Sequence, residues 1–271
     1  MPLQFCAEGT FRENLAYYQF SGYIYQMNIC LFSAEEASSG HILAGDERAK
    51  HIIKILHKTT GDSFSAGILG AEAGKAVIKK IDEDGIFFDF FAESDGKTLY
   101  PLDLIIGFPR PIQLKRLLRD AAGLGVRSVH LTATELGEKS YLQSNLIKDG
   151  GAEKMLIDGA VQAASTHVPA LKIHESLEKC LAEMEKNGNS LKIALDNVGA
   201  KMPLLALSGK MQSAQGVSAA IGSERGWSED ERKMLEGAGY VRCSMGKRVL
   251  RTESAATVAS SLILGAMGFL D

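Results

Sequence analysis

Strand-length apolar runs alternate with helical patterns after about Leu99, and this alternation narrows the possible folds more than any other feature. The apolar runs are Leu102–Phe108, Val126–Leu131, Leu191–Leu195 and Val217–Ile221. The helical patterns between and after them are Gln113–Leu124, Ala152–Ala164, Glu175–Lys186, Glu229–Ala238 and Glu253–Met267. Helices that join buried parallel strands give a chain this pattern. The sequence therefore predicts an α/β domain over residues 100–271, with a boundary near Tyr100-Pro101 and a parallel sheet covered by helices.

The preceding residues follow a different pattern. Between Leu43 and Phe91, short segments alternate apolar and polar residues, and Asp84-Gly85 is a favourable hairpin turn. The segment "DERAKHIIKIL" spaces four apolar residues like one helix face: Ala49, Ile52, Ile53 and Leu56. Residues 27–99 are therefore expected to form a small β-rich domain with one helix. Residues 1–26 show neither periodicity, and two interpretations stay open: an N-terminal extension with a start called too early, or an edge strand.

Length and composition bound the class of protein. A chain of 271 residues corresponds to about two domains, and 45% hydrophobic with 23% charged residues is typical of globular proteins. The net charge of −3 excludes a polyelectrolyte that coats nucleic acid, but a local basic face is still allowed. Four scattered cysteines without a C-x-x-C pair indicate reduced thiols in a cytoplasmic protein, with neither a disulfide framework nor a metal site. No run of about 18 apolar residues exists to span a membrane.

Two glycine-bearing loops follow predicted strands late in the chain. The first is "AAIGSERGWSEDE", in which Gly222 and Gly226 precede a helix, and Ser228 with Glu231 predicts a capping box for that helix. The second is "CSMGKRVLRTESAA", in which Gly246 precedes three basic residues and the last helix. Ligands of open α/β sheets bind beyond the carboxyl ends of strands, where glycine allows close backbone approach. Each loop is therefore a candidate ligand site.

Taken together, "AIGSERGWSEDE" and "MGKRVLRTESA" resemble the paired signature of the ribosomal RNA small-subunit methyltransferase E (RsmE) family, which belongs to the SPOUT class of methyltransferases. "DERAKHIIKILHKTTGD", "GVRSVHLTATELGEKSYLQS" and "GAVQAASTHVPAL" also resemble the family, so the similarity covers about residues 27–271. The chain departs from the family pattern at Ser223 and Arg225, where proline and glycine are usual, at Ala122-Gly123, where many members have Thr-Glu, and at Ser254, which replaces threonine.

The resemblance implies a PUA-like RNA-binding β-barrel at residues 27–99, a trefoil-knotted SPOUT domain at 100–271, a homodimer, and S-adenosylmethionine as the cofactor. It also implies methyl transfer to ring nitrogen N3 of a uridine in 16S rRNA of the 30S subunit. The residues expected to hold the cofactor are Leu195, Ile221, Gly222, Glu224, Gly226, Met245, Gly246, Val249, Leu250 and Thr252.

Arginine suits the implied chemistry because N3 of uracil must lose its proton before it attacks a methyl group. A guanidinium beside a uracil carbonyl oxygen would stabilise the resulting negative charge. Arg251 is the first candidate for this role and Arg248 the second, while Glu224 is a candidate general base, cofactor ligand or backbone cap. Basic residues expected to contact RNA are Lys50, Lys54, Lys58, Arg110, Lys115, Arg116 and Lys139.

Two other functions stay open. One is a SPOUT methyltransferase with a different RNA target, such as a ribose 2′-hydroxyl or a transfer RNA base. The other is a catalytically inactive RNA-binding protein, in which Ser223 and Arg225 mark a cofactor loop that has lost its function.

Overall fold

The chain separates into two compact units. The computed structural model describes residues 28–188 and 190–270, so the predicted N-terminal segment 1–26 lies outside the described residues. The first unit extends to Thr98 and also includes Ala164–His167, whereas the second comprises Leu99–Ala163 and the chain from Val168 onward. Among the described helices, none is long and apolar enough to cross a membrane.

The first unit is built on a five-stranded sheet in the order β1-β3-β4-β5-β2. Its strands are β1 Cys30–Phe32, β2 His41–Leu43, β3 Ser63–Ile68, β4 Ala73–Ile81 and β5 Gly85–Ser94. Among these described strands, only β1 and β3 pair in parallel. The predicted turn at Asp84-Gly85 joins β4 to β5 as an antiparallel hairpin.

The part of this unit that the structure describes contains two helices rather than the one predicted. Helix α1 is Ala34–Ser39 and helix α2 is Glu47–Lys54. A capping box between Ser33 and Glu36 begins α1, and the same Ser-x-x-Glu signal is readable in the sequence. Helix α2 has Asp46 as its N-cap and buries Ala49 and Ile52, as predicted, but it ends before Leu56. Its buried face packs on the aromatic core of the sheet, in which Phe32 stacks on Phe88.

The second unit is a seven-stranded, wholly parallel sheet in the order β10-β12-β9-β11-β6-β7-β8. Its strands are β6 Tyr100–Gly107, β7 Val126–Thr132, β8 Ala170–His174, β9 Leu191–Leu195, β10 Met202–Pro203, β11 Val217–Ile221 and β12 Val241–Ser244. Its α-helices are α3 Pro111–Gly123, α4 Asn145–Lys148, α5 Gly151–Gln162, α6 Leu177–Met184, α7 Ser208–Ser213, α8 Glu229–Gly237 and α9 Thr252–Ala266. The predicted parallel α/β sheet is confirmed.

Helices cover both faces of this sheet, because each central strand is apolar on both sides. Leu104 of β6 packs with α3, α5 and α9 on one face, whereas its neighbour Ile105 packs with α6 and α8 on the other. The predicted strands β9 and β11 match the structure to the residue, and the capping box of Ser228 and Glu231 at α8 is present. Strand β8 was not predicted, because its alternating residues lie at the sheet edge and form no apolar run.

Candidate functional site

The carboxyl ends of three neighbouring strands bring the two glycine loops together. In the sheet register, Ile221 of β11 pairs with Leu195 of β9, and Leu195 pairs with Cys243 of β12. The loops that follow these strands therefore leave the same edge of the sheet. Thr252, the first residue of α9, directs its hydroxyl towards the carbonyl oxygen of Gly222 at 3.5 Å. This edge is where open parallel sheets bind ligands.

The loop after β11 is a tight turn that depends on glycine. Gly226 has φ of +75° and its N–H donates to the carbonyl oxygen of Ser223 at 2.8 Å. A Cβ on Gly222 would lie 2.8 Å from the carbonyl carbon of Gly226, so only glycine fits without a shift. Ser223 is buried in this turn, whereas Arg225 is exposed. The two departures from the family pattern therefore leave a closed, well-formed turn.

Gly107 at the end of β6 allows the loop to pass close by. A Cβ there would lie 2.5 Å from the backbone nitrogen of Ser223 and 2.9 Å from Cγ2 of Thr134. The sequence analysis did not select this glycine, because it lies inside the predicted run Leu102–Phe108. The sequence did contain a signal for it, because a glycine inside an otherwise apolar strand pattern often marks a close approach of another backbone segment.

Buried side chains fix the loop after β11 to the interior of the second unit. Trp227 is fully buried, and its indole N–H donates to the carbonyl oxygen of Leu195 at 3.3 Å. Glu231 accepts from the backbone N–H of Ser228 at 2.9 Å and of Glu135 at 2.8 Å. One carboxylate thus caps α8 and ties it to the loop after β7.

The loop after β12 leaves backbone groups available to a ligand. Gly246 has φ of +104°, and none of the backbone N–H groups of residues 246–250 donates to another described group. Val249 is 82% exposed, although it is apolar, while Met245 and Leu250 pack partly against the core. An exposed apolar residue beside free N–H groups suits a ligand with an aromatic ring and polar edges.

Three cations of this loop have no partner in the described structure. Lys247, Arg248 and Arg251 are exposed and form no ion pair or side-chain hydrogen bond with a described residue. Arg251 is the N-cap position of α9, but its side chain does not cap the helix. These charges are therefore available to an anionic ligand.

Glu224 contacts the start of α3. Its Oε1 atom accepts a hydrogen bond from the backbone N–H of Arg110 at 3.1 Å and lies 3.7 Å from Nε of the same residue. A carboxylate is favoured there because Arg110 is the N-cap position of α3 and the positive end of the helix dipole faces it. Of the three roles expected for Glu224, the structure shows the backbone cap.

Asp196 anchors the loop after β9 and was not selected from the sequence. Its carboxylate accepts from Nε of Arg232 at 2.6 Å and lies 3.5 Å from Arg242, which also donates to the carbonyl oxygen of Val198 at 3.0 Å. The hydrogen bond to Asp196 raises the pKa of Arg232. Asp196 directly follows the predicted strand Leu191–Leu195, and this position was the signal available in the sequence.

The predicted RNA-contacting residues fall in both units. Lys54 is exposed at the end of α2, Lys50 pairs with Glu47 at 2.6 Å, and Lys58 lies beyond the helix, so these lysines do not share one helix face. In the second unit, Arg110, Lys115, Arg116 and Lys139 are exposed.

The chain resembles known methyltransferases over most of its length. A model of the RNA methyltransferase domain family matches residues 97–264. The chain is 40% identical over 244 residues to the ribosomal RNA small subunit methyltransferase E of Treponema pallidum (strain Nichols), which covers 88% of this chain and 91% of that protein. The chain belongs to the RsmE family.

Further comparisons agree with membership in the RsmE family, which was predicted from the two glycine loops. The chain is 33% identical over 237 residues to the ribosomal RNA small subunit methyltransferase E 1 of Borreliella burgdorferi, covering 88% of this chain and 97% of that protein. A crystal structure of a ribosomal RNA small subunit methyltransferase E from Neisseria gonorrhoeae, bound to S-adenosyl methionine, has the same fold with a TM-score of 0.73. It is 18% identical and covers 88% of this chain and 97% of its own.

Proposed function

We propose that the chain is a cytoplasmic enzyme that methylates ring nitrogen N3 of a specific uridine in 16S rRNA of the small ribosomal subunit. The methyl donor is S-adenosylmethionine, which the gonococcal RsmE structure contains. One observation carries the proposal: the loops after β9, β11 and β12 meet at one sheet edge, with free N–H groups beside unpaired cations.

The residues at this edge fit S-adenosylmethionine. The free N–H groups of residues 246–250 suit the polar edges of adenine, and the exposed Val249 suits its ring. The other predicted cofactor residues lie in or beside the same loops: Leu195, Ile221, Gly222, Gly226, Met245, Gly246, Leu250 and Thr252. When bound, the cofactor supplies an electrophilic methyl group on a positively charged sulfur.

The cations of the second loop suit the negative charge that develops on uracil. The N3–H group is a weak acid, so N3 becomes a nucleophile only as its proton leaves. Arg251, with Arg248 as second candidate, would donate hydrogen bonds to a uracil carbonyl oxygen and stabilise that charge. Besides capping α3, Glu224 keeps its proposed role as general base or cofactor ligand. The Arg110 N–H engages only one of its carboxylate oxygens, and its side chain is 35% exposed.

The finer architecture is part of the proposal. The mostly antiparallel first unit and its lysines support a PUA-like RNA-binding domain over residues 27–99, followed by the SPOUT domain over residues 100–271. The order β10-β12-β9 supports a knot, because β12 is inserted between two strands that are consecutive in the chain. The connection from β9 to β10 must therefore cross the later segment, and Lys201 in that connection donates its N–H to the carbonyl oxygen of Arg242.

Mass spectrometry of 16S rRNA tests the proposed reaction. Cells that lack the protein should lose one N3-methyluridine, and the wild-type chain should restore it. A variant with Arg251→Ala, expressed to the same level, should not. Loss of a different modified nucleotide, in rRNA or tRNA, would show that the enzyme methylates another RNA target.

Calorimetry with S-adenosylmethionine distinguishes the proposed enzyme from the remaining alternative, a catalytically inactive RNA-binding protein. An active enzyme binds the cofactor, whereas a catalytically inactive RNA-binding protein with a closed cofactor loop does not. Absence of binding to the purified full-length chain, with RNA binding retained, would establish the inactive protein instead.

A further inference from the structure

Three potential metal ligands meet beneath α6, on the sheet face opposite α3, α5 and α9. His130 lies on β7, His174 ends β8 and Cys180 lies on α6. All three side chains are buried, and their ligand atoms lie within 4.8 Å of one another. The sequence analysis expected no metal site because the cysteines are scattered and form no C-x-x-C pair; the fold brings together two histidines that are 44 positions apart.

Hydrogen bonds at the outer side of His130 determine which of its nitrogens carries a proton. Ser128 donates its hydroxyl proton to Oδ1 of Asp103 at 2.6 Å, and Asp103 also pairs with Arg127. The Ser128 oxygen therefore accepts from Nε2 of His130, which is 3.1 Å away. Nδ1 of His130 is left with a lone pair that points inward.

His174 has a carboxylate on its outer side. Its Nδ1 lies 3.7 Å from Oε2 of Glu183, whose other oxygen pairs with Lys172. A proton on Nδ1 faces this negative charge favourably and leaves a lone pair on Nε2. A proton on Nε2 instead would turn the Nδ1 lone pair towards the carboxylate, which is the less favourable arrangement.

The two inward nitrogens, Nδ1 of His130 and Nε2 of His174, are 3.0 Å apart. Two lone pairs at that distance repel unless a cation lies between them. A proton is one such cation: on Nε2 of neutral His174 it makes a hydrogen bond to Nδ1 of His130, but it then turns the Nδ1 lone pair of His174 towards Glu183. A metal ion is the other cation, and Cys180 adds a sulfur ligand where an ion needs a third donor.

We propose that Nδ1 of His130, Nε2 of His174 and Sγ of Cys180 form a binding site for a divalent transition-metal ion of the zinc class. Zinc takes nitrogen at about 2.0–2.1 Å and thiolate sulfur at about 2.3 Å, and these three donors are a common set for it. At these bond lengths, tetrahedral ligand atoms lie about 3.3–3.6 Å apart. The two nitrogens would therefore separate by a few tenths of an ångström, and the sulfur would approach them by roughly 1 Å at most. The ion would link β7, β8 and α6.

The surroundings match the usual outer shell of a metal site. Ligating histidines typically direct their second nitrogen to a carboxylate or another acceptor, as His174 does to Glu183 and His130 does to Ser128. Binding converts the Cys180 thiol to a thiolate and releases one proton to solvent. Because binding releases a proton, metal affinity should fall as the pH falls.

Metal titration of the full-length chain tests the site. After treatment with a chelator and its removal, Zn²⁺ should raise the melting temperature and saturate at one ion per chain. Co²⁺ should give a thiolate-to-cobalt charge-transfer band. Cys180→Ser should abolish this band, whereas Cys243→Ser, which changes another buried cysteine of the same unit, should keep it.

Two variants of α6 separate a metal ligand shell from general effects of charge. Glu183→Gln should weaken Zn²⁺ binding about 10–100-fold, because it removes the partner of a ligating histidine. Glu178→Gln removes the same charge from an exposed position of the same helix and should bind Zn²⁺ like the wild type. Equal affinities of these two variants, a charge-transfer band that survives Cys180→Ser, or no effect of Zn²⁺ on the wild type would each overturn the proposal.

Discussion

Arg251 is held at the functional edge by its backbone, because it is the N-cap position of α9 and its side chain has no partner among the described residues. We expect Arg251→Ala to leave folding and RNA binding intact but to lower the methylation rate about 10²–10³-fold, because it removes a donor needed mainly in the transition state. Single-turnover methylation of 30S subunits at saturating substrate measures this step.

Arg116→Ala is the matched control for Arg251→Ala. Arg116 is an exposed arginine in the middle of α3 that we expect to contact RNA without taking part in the reaction. A residue that holds only an RNA phosphate should raise KM, leave kcat almost unchanged and lower the salt dependence of binding. If Arg251→Ala behaves in that way, Arg251 positions RNA and has no catalytic role.

Gly107 sets how closely the loop after β11 approaches β6. Gly107→Ala places a methyl group 2.5 Å from the Ser223 nitrogen, so we expect a loss of about 1–3 kcal/mol of stability from overpacking and weaker cofactor binding. Gly123→Ala is the control, because no atom lies within 4 Å of its added Cβ at the end of α3. Urea unfolding and calorimetry measure both effects; equal results for the two variants would contradict the close-approach argument.

At the scale of elements, Glu231 joins α8 to the loop after β7. Glu231→Ala leaves the N–H groups of Ser228 and Glu135 without their acceptor, so we expect a loss of about 2–5 kcal/mol of stability. Glu229→Ala, at a 72% exposed position in the same turn, should change the stability by about 0.5 kcal/mol or less. Urea unfolding of both variants measures these losses of stability. A loss for Glu231→Ala as small as that for Glu229→Ala would contradict the link between α8 and the loop after β7.

At the scale of the whole molecule, the C-terminal helix leaves apolar surface uncovered within one chain. Val258 on α9 is 39% exposed, and Phe269 and Leu270 after the helix are 38% and 39% exposed. We expect these residues to pack against a second copy, so light scattering at micromolar concentration should give about twice the chain mass of 29.2 kDa. Val258→Lys should give the monomer mass without lowering the melting temperature of the monomer. A wild-type mass near that of one chain would argue against the dimer.

Local periodicity and local hydrogen bonds determined much of the second unit. The apolar runs predicted β9 and β11 to the residue, and the Ser-x-x-Glu spacing predicted the cap of α8. The two glycine loops also identified the family, because both loop sequences are continuous in the chain. These features depend on residues within about ten positions of one another, which is the range over which a sequence pattern carries structural information.

Only the tertiary structure decided which distant residues became neighbours. Leu195, Ile221 and Cys243 lie side by side because β12 pairs next to β9, and no periodicity specifies that order. The close approach of Gly107 to Ser223, the cap that Glu224 gives to α3, and the cluster of His130, His174 and Cys180 follow from the same long-range pairing. A strand's apolar pattern requires that both of its faces be buried, but many strand orders bury them equally well, so the neighbours are fixed by packing of the whole sheet.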